Sequence, residues 1–399
     1  MRKEICSRER MLETIANREA DHVPCCFMIF GALQDRCRDQ FEFVERQLEL
    51  GLDAVVDLPA YAAIHERAQS DYADLHGLPV RFHPSVEIKE RREDKPDERY
   101  PILHKEYITP AGILRTAVNR TDDWIHGDHV PFLDDYLIPR SRKFLVTERD
   151  DLAALRYLLT PPSKADVEAF RRVAADAKAF AAKRGLLVTG GWGSVVDTAC
   201  WLSGITELVL LAIDEPEFVK ELFDLIADWN RQQMKVLLDE GVDLFIRRAW
   251  YESADFWSPG LYRQFILPSV KKDVEMVHQA GAKFGYIMTT GTMPLLDMLL
   301  EADIDVLIGV DPVQGKGTDL RAMKQKLSGK ICLWGGVNGF ITVERGTQAE
   351  VREAVETAIE ILAPGGGFIL SPVDNIRDNS PGTWANVEAF IEAWKRVRK

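Results

Sequence analysis

The sequence predicts an α/β fold, a (β/α)8 TIM barrel with a long insertion after strand two. Three observations predict it. Apolar runs of strand length alternate with longer stretches of helical period. Eight such runs can be counted, the number a barrel of this type needs, and 399 residues accommodate it with room to spare. No G-x-G-x-x-G follows any run, which argues against a doubly wound dinucleotide-binding sheet.

The first run is HVPCCFMIF (22–30), where adjacent Cys25 and Cys26 should point to opposite sides of a strand. DAVVDLP (53–59) is the second. The insertion follows, at about 60–150. It holds the charge run ERREDKPDER, read as a solvated loop. Alternation on either side of Pro110-Ala111-Gly112 predicts a β-hairpin. DDWIHGDHVPFLDDYLIPR then reads as a lid or pocket wall. The remaining runs are LLVTGGW (186–192), LFIRRAWY (244–251), KFGYIMTT (283–290), VLIGVDP (306–312), ICLWGGVN (331–338) and FILSPVDN (368–375). GGWGSVV (190–196) is glycine-rich, but its spacing matches no phosphate-binding fingerprint. Ser258-Pro259 is a helix start, and Thr347 with Glu350 is a capping box. The chain reads as a single domain, 1–399.

A net charge of −13 argues against nucleic acid and anionic membranes as partners. No stretch approaches the apolar length of a bilayer span, and the N-terminal segment is charged and amphipathic. Six cysteines without even spacing suggest reduced thiols and a cytoplasmic setting.

In a barrel, chemistry collects where strands end. Asp57, Tyr251, Asp311 and Asp374 stand there as candidate catalytic groups, since convergent carboxylates and a phenol can move protons. Tyr61, Trp192, Arg247, Arg248, Thr289, Thr290, Asn338, Asn375 and Arg377 are candidate substrate contacts. The bland role for each Asp is a helix N-cap. Arg247-Arg248 is the sharpest anomaly, because a buried unpaired charge is very costly. Alternation turns one inward, either onto a substrate carboxylate or phosphate or into an ion pair with Asp311, Glu252 or Asp57. His126 and His129 are the closest histidine pair, and no metal motif is present.

Several stretches resemble the uroporphyrinogen decarboxylase superfamily. They are RERMLETIANREADHVP (8–24), DEPEFVKELFDLIADW (214–229), SPGLYRQFILPSVKKDVEMVHQAGAK (258–283) and GGGFILSPVDNIRDNSP (365–381). The resemblance spans nearly the whole chain apart from the insertion and independently implies the barrel. It also implies a dimer and one of two chemistries. True decarboxylases remove carboxylates from four acetate arms of a tetrapyrrole without a cofactor, using an arginine-rich loop and an Asp after strand two. The other branch uses zinc, held at strand five by His-x-Cys, and transfers methyl groups in company with a corrinoid protein.

The sequence departs from both patterns. CFMIFGALQDR lacks the arginine loop, and Asp57 stands about three positions early. Ile287 and Thr289 occupy the zinc positions, which argues against zinc. Basic residues for a polycarboxylate are few: Arg247 or Arg248, Arg377, and Arg81, Arg115 or Arg120 from the insertion. The TPAG hairpin and SPVDNI look more like the methyltransferase branch. The expectation is methyl transfer on a small substrate linked to a corrinoid protein. The alternatives are decarboxylation of uroporphyrinogen or a smaller polycarboxylate, and non-catalytic binding of a ligand or corrinoid partner.

Overall fold

The computed structural model describes residues 5–62, 71, 76–193 and 195–398. Its strands, in chain order, are β1 (Val55–Asp57), β2 (Glu87–Glu93), β3 (Ile102–Thr109), β4 (Gly112–Asn119), β5 (Ser141–Lys143), β6 (Leu187–Gly191), β7 (Leu244–Arg248), β8 (Lys283–Ile287), β9 (Val306–Val310), β10 (Cys332–Asn338) and β11 (Phe368–Val373). Seven of them form one curled parallel sheet in the order β1-β6-β7-β8-β9-β10-β11. Helices connect successive strands, as parallel pairing demands.

The run 22–30 differs from expectation. It makes only isolated bridges, Cys25 to Leu370 and Ile29 to Asn375. Side chains take N–H groups that a ladder would use: Cys25 N–H donates to Asp53 (3.1 Å) and Met28 N–H to Ser371 Oγ (2.8 Å). Pro24 has no N–H to offer. The segment still touches both edges of the sheet. Cys26 N–H donates to Leu370 O (3.0 Å) beside β11, and Asp53 N–H donates to Cys25 O (2.8 Å) just before β1.

Strand alternation divides the core in two. Leu187, Leu244, Ile287, Val306, Ile308, Cys332, Trp334 and Ile369 point into the curl, joined by Cys26. Met11 and Ile15, from the helix Ser7–Ile15, join this inner cluster. That helix is held at the N-terminal end of β6, where Arg8 N–H donates to Gly185 O (2.8 Å). Phe245, Phe284, Leu307, Leu333 and Leu370 point outward under the helices, as does Cys25. Each fully buried side chain of this size contributes ~1.5–3 kcal/mol. Ser258 and Thr347 cap their helices, the latter in a reciprocal box with Glu350.

Between β1 and β6 the chain builds a separate antiparallel sheet, β2-β3-β4-β5. β3 and β4 pair from Ile102–Asn119 to Thr109–Gly112. The charge run is not all loop: Glu87–Glu93 is the edge strand β2, nearly all exposed. A charged edge resists pairing with other chains, so strand structure and high charge are compatible there. Among the described residues no single helix is long and apolar enough to cross a membrane.

Candidate functional site

The turn after β6 explains the glycines of GGWG. A Cβ at Gly191 would sit 2.1 Å from Ile246 O, and one at Gly193 would sit 2.2 Å from His76 Nε2. Only glycine lets the chain lie that close to β7 and to buried His76. Between them Trp192 adopts φ +98°, a strained conformation for a bulky residue. Its N–H donates to Ile246 O (2.7 Å), and its ring meets Trp250 edge-on at 5.6 Å. The strain presents an indole at the C-terminal mouth of the sheet.

β7 separates the two arginines. Leu244, Ile246 and Trp250 share the inward side, so Arg248 points in and Arg247 points out. Arg247 is buried in a network under the helices. It donates to Glu252 (2.7 Å) and Asp273 (2.5 Å); Tyr286 also donates to Glu252, and Tyr262 to Tyr286 (3.2 Å). Burial raises the Glu252 carboxyl above its ordinary range, against the pull of Arg247. Arg247 therefore serves the fold rather than the mouth.

Arg248 Nε donates to Asp197 (2.8 Å) and Nη2 to Asp135 (2.5 Å). Its guanidinium lies 4.3 Å from the Trp250 ring centre and 5.0 Å from that of Trp201. Trp201 Nε1 donates to the other Asp135 oxygen (2.8 Å). Tyr251 belongs to the same group. Its phenol is pushed up by burial, then by Asp135 and Asp197, so it is a donor rather than an anion. Sequence reasoning missed Asp135, Asp197, Trp201 and Trp250. Only Trp250 left a signal, standing two positions after Arg248 and so on the same strand face.

Asp57 points inward from the end of β1, following inward Val55 and outward Val56. It accepts from Thr189 Oγ1 (3.0 Å) and Ala60 N–H (3.2 Å). Burial pushes its carboxyl up to about 6, outweighing those two hydrogen bonds. It can therefore hold or release a proton near neutrality.

The remaining candidates are bracing groups or exposed. Asp311 accepts from Val313 N–H (2.8 Å), Gln314 N–H (3.1 Å) and Asn338 Nδ2 (2.6 Å). Asn338 also caps the turn Gly339–Glu344 through Ile341 N–H (2.6 Å). This pair ties the loops after β9 and β10 together. Asp374 is exposed at φ +67°, accepting from its neighbour Asn375 N–H (2.8 Å). Among the described residues these three aspartates share no hydrogen-bond partner. Asn375 accepts from Gly31 N–H (2.8 Å), while Arg377 is exposed. Thr289 and Thr290 are half-buried past β8. Tyr61 lies in the short helix Leu58–Ala62, but its side chain is outside the described residues.

Ile287 is packed in the apolar inner cluster, and Thr289 offers only a hydroxyl. With neither thiol nor imidazole, the end of β8 does not fit a zinc ion. His126 faces Asp134 (3.3 Å), whereas His129 faces Glu90 (3.0 Å). Among the described residues no three His, Cys, Asp or Glu side chains gather in a metal-holding group.

A parallel α/β sheet with its polar residues at the strand ends defines the class. The uroporphyrinogen decarboxylase (URO-D) family model matches residues 130–397, and the chain belongs to that family. Among solved structures it is similar to a methyltransferase from Methanosarcina mazei, at 18% identity and TM-score 0.59, covering 98% of this chain and 99% of that one. At that identity the likeness is one of fold. It also matches a B12-independent methionine synthase from Shewanella sp. W3-18-1 in complex with selenomethionine, at 11% identity and TM-score 0.43, covering 63% and 73% of the two chains. No curated protein sequence matches.

Proposed function

We propose that the chain is an enzyme of this family that acts on a small methylated or carboxylated substrate and transfers a methyl group in company with a corrinoid protein. We also infer that the segment 22–30 acts as the eighth stave, closing the sheet into a (β/α)8 barrel with 60–150 as an insertion. Its hydrogen bonds to both edges support this.

The observation that carries the functional reading is how few candidate basic groups are left uncommitted among the described residues, with exposed Arg377 the exception. An octacarboxylate needs several basic groups. Arg248 already faces two carboxylates, and Arg247 is turned away under the helices. Arg81, Arg115 and Arg120 are engaged by Asp166, Glu106 and Asp128. A small substrate against Trp192, Trp250 and Tyr251 suits this mouth better than uroporphyrinogen.

Asp57 is the proposed proton donor. When the heteroatom–methyl bond breaks, the electron pair stays on the heteroatom, which takes the Asp57 proton. A reduced corrinoid carried by the partner would accept the methyl group, supplying the electron pair of the new bond. The loops after β9 and β10 expose Val313 (49%), Phe340 (39%) and Ile341 (45%), an apolar rim on which a partner can dock. The likeness in fold to a methyltransferase agrees with this reading, and the free cysteines agree with a cytoplasmic setting.

The test incubates the chain with reduced cobalamin, or a corrinoid protein, and methylated donors, following the corrinoid spectrum. Asp57→Asn should slow transfer by ~100-fold or more while cobalamin binding survives. No corrinoid binding and no methyl transfer from any donor ends the proposal. The raised carboxyl of Asp57 equally suits decarboxylation of a small acid, where it would protonate the carbon that loses carbon dioxide. Carbon dioxide release without methyl transfer would select that second reading.

A further inference from the structure

The Arg248 cluster contains one carboxylate unlike the other. Asp197 is 1% exposed and sealed in, whereas the Asp135 side chain is 41% exposed. Asp135 comes from the segment between β4 and β5 of the antiparallel sheet. Its two oxygens are held by different donors: Arg248 Nη2 at 2.5 Å and Trp201 Nε1 at 2.8 Å. Two donors converging on the two oxygens of one carboxylate form a two-point receptor for that group.

We propose that this is a carboxylate-binding site in which Asp135 is the resident ligand, and that a small substrate carboxylate takes its place on Arg248 and Trp201. The proposal rests on the functional reading above and narrows its substrate to a small carboxylate. The exchange replaces one carboxylate by another, so Arg248 is never left as an uncompensated buried charge. Asp197 keeps its grip on Nε throughout, holding the guanidinium in place between the Trp201 and Trp250 rings.

Only the Asp135 side chain has to turn. Its backbone is anchored by Leu133 (0% exposed) and Leu137 (4%). Leu137 N–H donates to Asp134 O (3.1 Å), and Tyr136 N–H donates to Asp134 Oδ1 (2.9 Å). The released carboxylate is already partly in contact with water, which reduces the new solvation its release requires. Asp135 thus acts as a tethered competitor. It lowers the apparent affinity for any free carboxylate by the fraction of time the receptor is vacant.

The test uses acetate as the probe, with the intrinsic fluorescence of Trp201 and Trp250 in the full chain as the readout. Asp135→Asn should tighten acetate binding by about tenfold or more, corresponding to a receptor vacant about a tenth of the time. Acetamide, the same shape without charge, should give no saturable signal. Arg248→Gln should abolish acetate binding in both backgrounds. Should that variant fail to fold, Trp201→Phe, lacking the indole N–H, should weaken binding by about tenfold, the loss of one hydrogen bond to a charged group.

The gain from Asp135→Asn should persist at about 0.5 M NaCl, where a long-range charge effect would shrink. Equal acetate affinity with and without Asp135 overturns the exchange. So does a gain that disappears in salt, or an acetamide signal equal to that of acetate. None of these readings needs turnover. Failure here with methyl transfer intact removes the exchange alone. Failure of methyl transfer with acetate exchange intact removes the functional reading alone.

Discussion

Asp57→Asn separates a group kept for chemistry from one kept as a helix cap. In the folded chain the carboxyl titrates at about 6 instead of its ordinary 3.8. Between those pH values the unfolded chain has already lost a proton that the folded chain keeps. Stability therefore falls as pH rises through the window, and the penalty is complete above about pH 6. The displacement corresponds to ~3 kcal/mol, trimmed toward ~1–2 kcal/mol by the partial exposure of the side chain. Asparagine can keep both contacts, its carbonyl accepting from Ala60 N–H and its amide donating to Thr189 Oγ1, without ever ionising. The variant should be more stable than the parent by ~1–2 kcal/mol near pH 7.5 and closely matched to it near pH 4. Urea unfolding followed by tryptophan fluorescence at the two pH values reads this directly. A simple N-cap predicts no gain at neutral pH, since asparagine caps a helix about as well as aspartate. A variant no more stable than the parent near pH 7.5 refutes the argument. Gained stability together with lost turnover marks a carboxyl held in an unfavourable state for use.

Arg247→Met strips buried Glu252 of its cation, while Asp273 keeps Arg231 (2.8 Å), and should cost ~3–5 kcal/mol, read as a lowered thermal midpoint. Gly193→Ala drives a methyl group into His76, which is stacked on Phe245, and should cost ~1–3 kcal/mol with a shifted Trp192 emission; an unperturbed midpoint would show that the turn relaxes freely. The double substitution Phe340→Asp, Ile341→Asp lies on exposed surface, so circular dichroism should not change while capture of a corrinoid protein weakens by about tenfold or more. Unchanged capture places the partner elsewhere.

The parallel sheet was legible because each of its strands is a short apolar run bounded by turn residues, and periodicity reports that directly. The run 22–30 looked the same in composition, yet its N–H groups go to Asp53 and Ser371, residues 28 and 343 positions away. No local pattern encodes a backbone donor captured by a distant side chain. The charge run failed for another reason. Hydrophobic alternation detects strands with one buried face, and β2 is an exposed edge with almost none.

The candidate site divides along the same line. That one arginine of Arg247-Arg248 must face inward followed from strand geometry alone. Which one it was, and what each would meet, did not. Asp135 is 113 residues from Arg248 and Asp197 is 51 away, on elements whose placement only the folded chain decides. Glu252 was expected of the inward arginine but pairs with the outward one, Arg247, five residues before it. Asp311 and Asp57 were expected on the same grounds of position, but their oxygens are taken by Asn338 and Thr189 together with nearby backbone N–H groups. A strand-end carboxylate is therefore a weak predictor of chemistry, since the adjoining turn competes for it. The two that matter differ from the rest in a physical respect. Asp57 is held where burial opposes its charge, and Asp135, from the segment between β4 and β5, is partly exposed while two donors hold its two oxygens.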